Sequence, residues 1–94
     1  MAIQSFKDRI TEAVNAGACP KGFPADAFKA ARRKLSAVDA ATSLEDLMSP
    51  PGNRLETLKG DRAGQHSIRI NDRWRVCFTW GPAGPEGVEI VDYH

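Results

Sequence analysis

Hydrophobic and polar positions alternate most cleanly in the stretch Trp74 to Trp80. Trp74, Val76, Phe78 and Trp80 fall on one face, and Arg75, Cys77 and Thr79 on the other, the two-residue period of a half-buried strand. Just before it, His66, Ile68 and Ile70 alternate with Gln65, Ser67 and Arg69. Asn71-Asp72 lies between the two runs, and both residue types tolerate the backbone angles of a tight turn. A further strand is predicted at Arg54–Leu58 and another at 86–93, where Val88 and Ile90 oppose Glu89, Val91 and Tyr93. The turn-rich run Gly81-Pro82-Ala83-Gly84-Pro85 is the loop before the last strand. The sheet thus has an apolar face that packs a core. Its other face carries arginine and small polar side chains and is expected to be open.

The first half of the chain changes to a helical period. Phe6, Ile10, Ala13 and Val14 recur at helical spacing after Ser5, which with Asp8 three residues on resembles a capping box. Gly17 supplies the stop. Pro20 and Gly22 mark a loop, and Pro24 suits the first turn of a second helix, in which Phe28, Ala31, Leu35 and Val38 form one apolar stripe. Lys29, Arg32, Arg33 and Ser36 lie off that stripe. A helical turn capped by Ser43 and ended by Ser49-Pro50-Pro51-Gly52 fills the connector, and 2–4 is read as a short first strand. The expected fold is α+β: a small antiparallel sheet with two N-terminal helices on one face. At 94 residues this is a single domain over 1–94.

Charge adds a local signal. The net charge is only +1, but from Arg54 to Arg75 six bases stand against three acids. Arg54, Lys59, Arg62, Arg69, Arg73 and Arg75 are therefore candidates to meet a polyanion, and an ordinary solvated strand face is the other reading of so small an excess. The two cysteines, Cys19 and Cys77, lack metal-ligand spacing and read as free thiols of a reducing compartment. No apolar run is long enough for a leader or a membrane span, so a cytoplasmic protein without a membrane partner is expected. Phosphate-cradling glycine loops, zinc spacings and nucleophile elbows are absent, and neither a metal nor a cofactor is expected.

What remains for chemistry is Glu56, Lys59, Arg75, Asp92, Tyr93 and His94. Arg75 carries a planar fork suited to phosphate; a structural ion pair to Glu89 or Asp92 is its other reading. Lys59 is a compact charge on a flexible stem, usable as a phosphate clamp or as a general base. His94 stands beside the chain's own carboxylate and near Asp92, charges that favour its protonated form. His66, on the face of Ile68 and Ile70, reads as a core-edge histidine.

Several blocks together resemble the HigB branch of the RelE/ParE bacterial toxins. They are Arg54-Leu55-x-x-Leu58-Lys59-Gly60-Asp61-Arg62, Gly64-Gln65-x-Ser67, Asn71-x-x-Trp74-Arg75-Val76-x-Phe78 and Asp92-Tyr93-His94. Phe6-Lys7 and the stretch from Arg33 to Asp46 fit as well. The resemblance implies a toxin of a type II toxin–antitoxin pair, a metal-independent endoribonuclease that cuts mRNA in the ribosomal A site. It implies a HigA-like helix-turn-helix antitoxin as partner, with operator DNA reached only through that antitoxin. Family functional residues fall on Lys59, Arg75, Asp92, Tyr93 and His94. Where family members can carry a histidine two residues before the Leu-Lys pair, this chain has Glu56, which leaves two readings: the Glu56 carboxylate acts as the base, or the site leans on His94 alone. Two other outcomes remain open on the same scaffold: a non-catalytic gyrase poison of the ParE kind, and a degenerate toxin that retains only antitoxin binding.

Overall fold

The computed structural model describes residues 3–92. Helix α1 spans Arg9–Asn15 and helix α2 spans Ala25–Ala40. Two short 3-10 turns follow, Leu44–Met48 and Pro51–Asn53, and then β1 (Glu56–Thr57), a third turn at Gly60–Arg62, β2 (Gln65–Arg69), β3 (Trp74–Gly81) and β4 (Gly84–Asp92). The strands form one antiparallel sheet in the order β1-β2-β3-β4. Both helices pack on one face of it, giving the α+β, RelE-like arrangement expected from the pattern.

The core forms where the two periodicities meet. Ala31, Leu35 and Val38 from α2 and Val14 from α1 are fully buried against Ile68, Val76, Phe78 and Val88 of the sheet. Leu47 closes one end. The buried Asn53 side chain donates to the carbonyls of Leu47 (3.2 Å) and Ser49 (3.3 Å) and accepts from Lys34, tying the connector to α2. Burial lowers the Lys34 pKa, and Arg33 and Arg69 lower it further.

Four local expectations need correction. Helix α1 starts later than Ser5. Asp8 is extended (φ −143°) and its carboxylate accepts from the Thr11 amide at 2.7 Å, so Asp8 is the cap. The Ser5 hydroxyl instead accepts from the Gly87 amide at 2.9 Å. The later start rotates the buried face: Thr11 and Val14 are enclosed, while Ile10 is 51% exposed. Thr11 uses its hydroxyl to accept from the Ile90 amide at 2.9 Å, docking α1 against β4.

Of the first strand predicted at 2–4, Ala2 lies outside the described residues and Ile3 and Gln4 are not in a strand; a single parallel bridge follows at Phe6, to Val88, flanked by hydrogen bonds from Gln4 to Pro85 (2.8 Å) and from Val88 to Ser5 (3.0 Å). β4 carries a bulge beside this bridge. Two residues, Gly87 and Val88, face the single Phe78, and Gly87 is left-handed (φ 58°). The predicted five-residue loop before β4 is also shorter. Gly81 pairs with Gly84, leaving Pro82-Ala83 as the turn, and Pro85 is taken into β4, an outer strand of the sheet, where a missing donor is tolerated.

Finally, β1 is two residues long and not five. Arg54 is left-handed (φ 47°) because it terminates the Pro51–Asn53 turn, and this breaks the extended run.

Candidate active site

The polar sheet face is not open as expected. Ser67 and Cys77 at its centre are fully buried. Register explains this: Glu56 faces Ser67, Ser67 faces Cys77, and Cys77 faces Glu89, so one row crosses all four strands. Two ion pairs lie over that row. Arg62 donates to Glu89 at 2.8 Å and to Gln65 at 3.0 Å. Arg75 meets Glu56 at 3.0 Å. Burial pushes the Cys77 thiol pKa up, while Arg62 beside it pulls the other way. Cys19 and Cys77 are both free cysteines.

Arg75 is the best-held of the candidates. Its side chain is 13% exposed, against 47% for Glu56. One guanidinium nitrogen, Nη1, donates to the Ser67 hydroxyl (3.3 Å) and to the Arg54 carbonyl (3.4 Å), and Nη2 faces Glu56. The next row of the sheet sets Arg69 directly opposite Arg75. Like charges at such a position repel. Here each arginine has an acid of its own, Asp72 for Arg69 and Glu56 for Arg75. Two fixed guanidinium groups side by side favour an anion above this edge.

The other candidates divide. Lys59 is exposed, immediately before the Gly60–Arg62 turn and two residues beyond β1. Arg54 has an exposed side chain and contributes its carbonyl to the Arg75 site. Asp92 does not share the face of Arg75. It pairs with Trp74, whose strand neighbours Val76 and Phe78 point into the core, so it belongs to the helix side at the end of the sheet. There Arg73 binds it through Nε (3.0 Å) and Nη2 (2.8 Å), which raises the Arg73 pKa. The Arg73 guanidinium also lies 5.5 Å from the centre of the Trp74 ring, and Phe23 packs against the same ring at 5.7 Å. Tyr93 and His94 lie outside the described residues. His66 is half-buried beside Phe78, with its Nδ1 3.1 Å from the Thr57 hydroxyl, as a core-edge residue should be.

Sequence reasoning gave Ser67 no role beyond the polar face and did not foresee the Arg54 carbonyl. The signals for Ser67 are a small hydroxyl residue two places before Arg69 on that face and its place in the Gly64-Gln65-x-Ser67 block. The carbonyl's position depends on the left-handed turn at Arg54 and carries no sequence signal.

Two helices on one face of a four-stranded antiparallel sheet make an α+β domain of RelE-like arrangement. A family model described as RelE-like toxin of type II toxin-antitoxin system HigB matches residues 4–94, and the chain belongs to that family. Toxin HigB-1 of Vibrio cholerae is 46% identical over 70 residues, covering 74% of this chain and 70% of that protein. Endoribonuclease HigB of Proteus vulgaris is 30% identical over 92 residues, 98% of this chain and 99% of the relative.

Proposed function

We propose that this toxin is a ribosome-dependent mRNA endonuclease that stops translation by cutting mRNA in the A site. The observation that carries the reading is the pairing of a largely buried, hydrogen-bonded Arg75 with a half-exposed Glu56 carboxylate. A fixed cation beside a carboxylate is what RNA cleavage by its own 2′-hydroxyl requires. The full-length likeness to a relative named an endoribonuclease supports it.

In the proposed reaction the 2′-oxygen bonds to phosphorus as the bond to the 5′-oxygen breaks. The products are a 2′,3′-cyclic phosphate and a free 5′-hydroxyl. Glu56 takes the 2′-hydroxyl proton. Arg75 and Lys59 hold the phosphate and its developing charge. Asp92 is already engaged as an acceptor by Arg73, so His94 gives the proton to the leaving oxygen and Tyr93 stacks on a base. Arg54, Arg62, Arg69 and Arg73 contact the RNA backbone. Such a set of side chains is modest for a nuclease, and the ribosome supplies the missing part by presenting the strand in the reactive geometry.

The partner in the resting cell is a HigA-like helix-turn-helix antitoxin, through which the pair reaches operator DNA. The site of action is cytoplasmic. The test is primer extension on a defined mRNA in a translating bacterial extract with untagged protein. Codon-phased cuts that require ribosomes are expected. Intact mRNA with broken chromosomal DNA in poisoned cells would overturn the reading in favour of gyrase poisoning.

A further inference from the structure

The Arg75 guanidinium is bound unevenly. One charged partner, Glu56, is half-exposed, whereas one neutral partner, Ser67, is fully enclosed. A neutral acceptor orients a guanidinium without cancelling its charge, while a carboxylate does both. Ser67 also stands in the sheet directly opposite Glu56 on one side and Cys77 on the other, so its hydroxyl has little freedom to move away.

We propose that Ser67 is a positioning residue: its hydroxyl, with the Arg54 carbonyl, fixes the plane of the Arg75 guanidinium so that an RNA phosphate can take the place of Glu56. The two neutral bonds converge on one nitrogen, Nη1, at 3.3 and 3.4 Å. Nη2 is the nitrogen that meets the Glu56 carboxylate, the exchangeable anion. The Arg54 carbonyl is brought there by a left-handed residue, a conformation a non-glycine side chain rarely adopts. When Glu56 is released from Nη2 it becomes available to accept the 2′-hydroxyl proton, so the device that fixes Arg75 also frees the base.

The inference rests on the nuclease reading, and the two can fail separately. The first measurement needs no activity: nitrogen-15 spectra of the Arg75 side chain. Wild type is expected to show separate, slowly exchanging Nη signals, and Ser67→Ala is expected to merge them. The second is single-turnover cleavage on programmed ribosomes. Ser67→Ala is expected to lower the cleavage rate about 10-fold, the scale of one lost orienting hydrogen bond, with ribosome affinity unchanged. Ser67→Thr, which keeps the hydroxyl, is expected to restore both readouts. Ser67→Cys, close in size but a weaker acceptor, replaces the alanine variant if that variant does not fold, with the same losses expected. Unchanged Nη signals, or a wild-type cleavage rate in the variant, overturn the positioning role. Absence of cleavage by the wild type overturns the nuclease reading and leaves the spectra to decide on Ser67.

Discussion

Arg75 on β3 meets Glu56 on β1 at 3.0 Å, reaching past the intervening strand β2. The reach is possible because the residue between them is a serine. A long aliphatic or aromatic side chain at Ser67 would fill the space that the guanidinium crosses. The pair therefore depends on strand order and on one small residue, and it joins the cation and the carboxylate that the proposed chemistry needs.

Replacing Arg75 by alanine should reduce mRNA cleavage by about 100-fold or more, the usual cost of removing a preorganised group that stabilises developing charge. Arg75→Lys should recover little, because an ammonium group cannot reproduce the fork held by Ser67, Arg54 and Glu56. Primer extension at matched protein concentrations gives both values. A wild-type rate for Arg75→Ala would remove it from the site.

Glu56→Gln separates base from anchor. The amide keeps a hydrogen bond to Arg75 but accepts a proton poorly. Cleavage should fall by roughly 100-fold or more, within the range of lost general-base catalysis, while the melting temperature stays near that of wild type. A large fall in melting temperature with unaltered cleavage would mark Glu56 as purely structural.

Arg54→Gly should move stability and activity in opposite directions. Arg54 is left-handed (φ 47°), and glycine adopts that conformation freely. A gain of about 0.5–1 kcal/mol is expected from chemical denaturation. Cleavage should fall at the same time, through loss of an exposed cation, and the fall should shrink as salt screens the backbone contacts.

Arg62→Ala should cost about 1 kcal/mol, because Glu89, 14% exposed, would lose its partner while Arg62 itself is partly in solvent. The same change uncovers Cys77. Thiol labelling of wild type should reach the exposed Cys19 quickly and the buried Cys77 slowly, and labelling of Cys77 should accelerate in the variant. Equal Cys77 rates in the two proteins would refute this account of the sheet face.

Asp46 sets a pH dependence. Its carboxylate accepts from the Thr42 amide and hydroxyl, both at 2.9 Å, and from the Ser43 amide at 3.3 Å, which holds its pKa below the ordinary carboxylate value. A lowered folded-state pKa gives stability that is present above the unfolded value and lost as pH falls through the folded one. The melting-temperature gap between wild type and Asp46→Asn should therefore be widest near neutrality and close in acid. A gap that widens toward low pH would reverse the sign.

The sequence determined much of the architecture. Two-residue alternation in 65–80 and the stripe Ala31, Leu35, Val38 define a half-buried sheet and its covering helix, because burial of a face is a local, periodic property. The Asn71 turn was legible for the same reason: its side chain accepts from the amides of Arg73 (2.9 Å) and Trp74 (2.8 Å), a bond made within three residues. The site was legible only as an inventory. Glu56, Lys59, Arg75 and Asp92 can be named from sequence, but the ion pair it suggests for Arg75 is with Glu89 or Asp92, and the structure pairs Arg75 with Glu56, Arg62 with Glu89 and Arg73 with Asp92. Which acid meets which base depends on strand register, on the bulge at Gly87 and on the turn that brings Arg62 over Cys77. Those are relations between segments far apart in the chain, fixed by packing, and no local pattern encodes them.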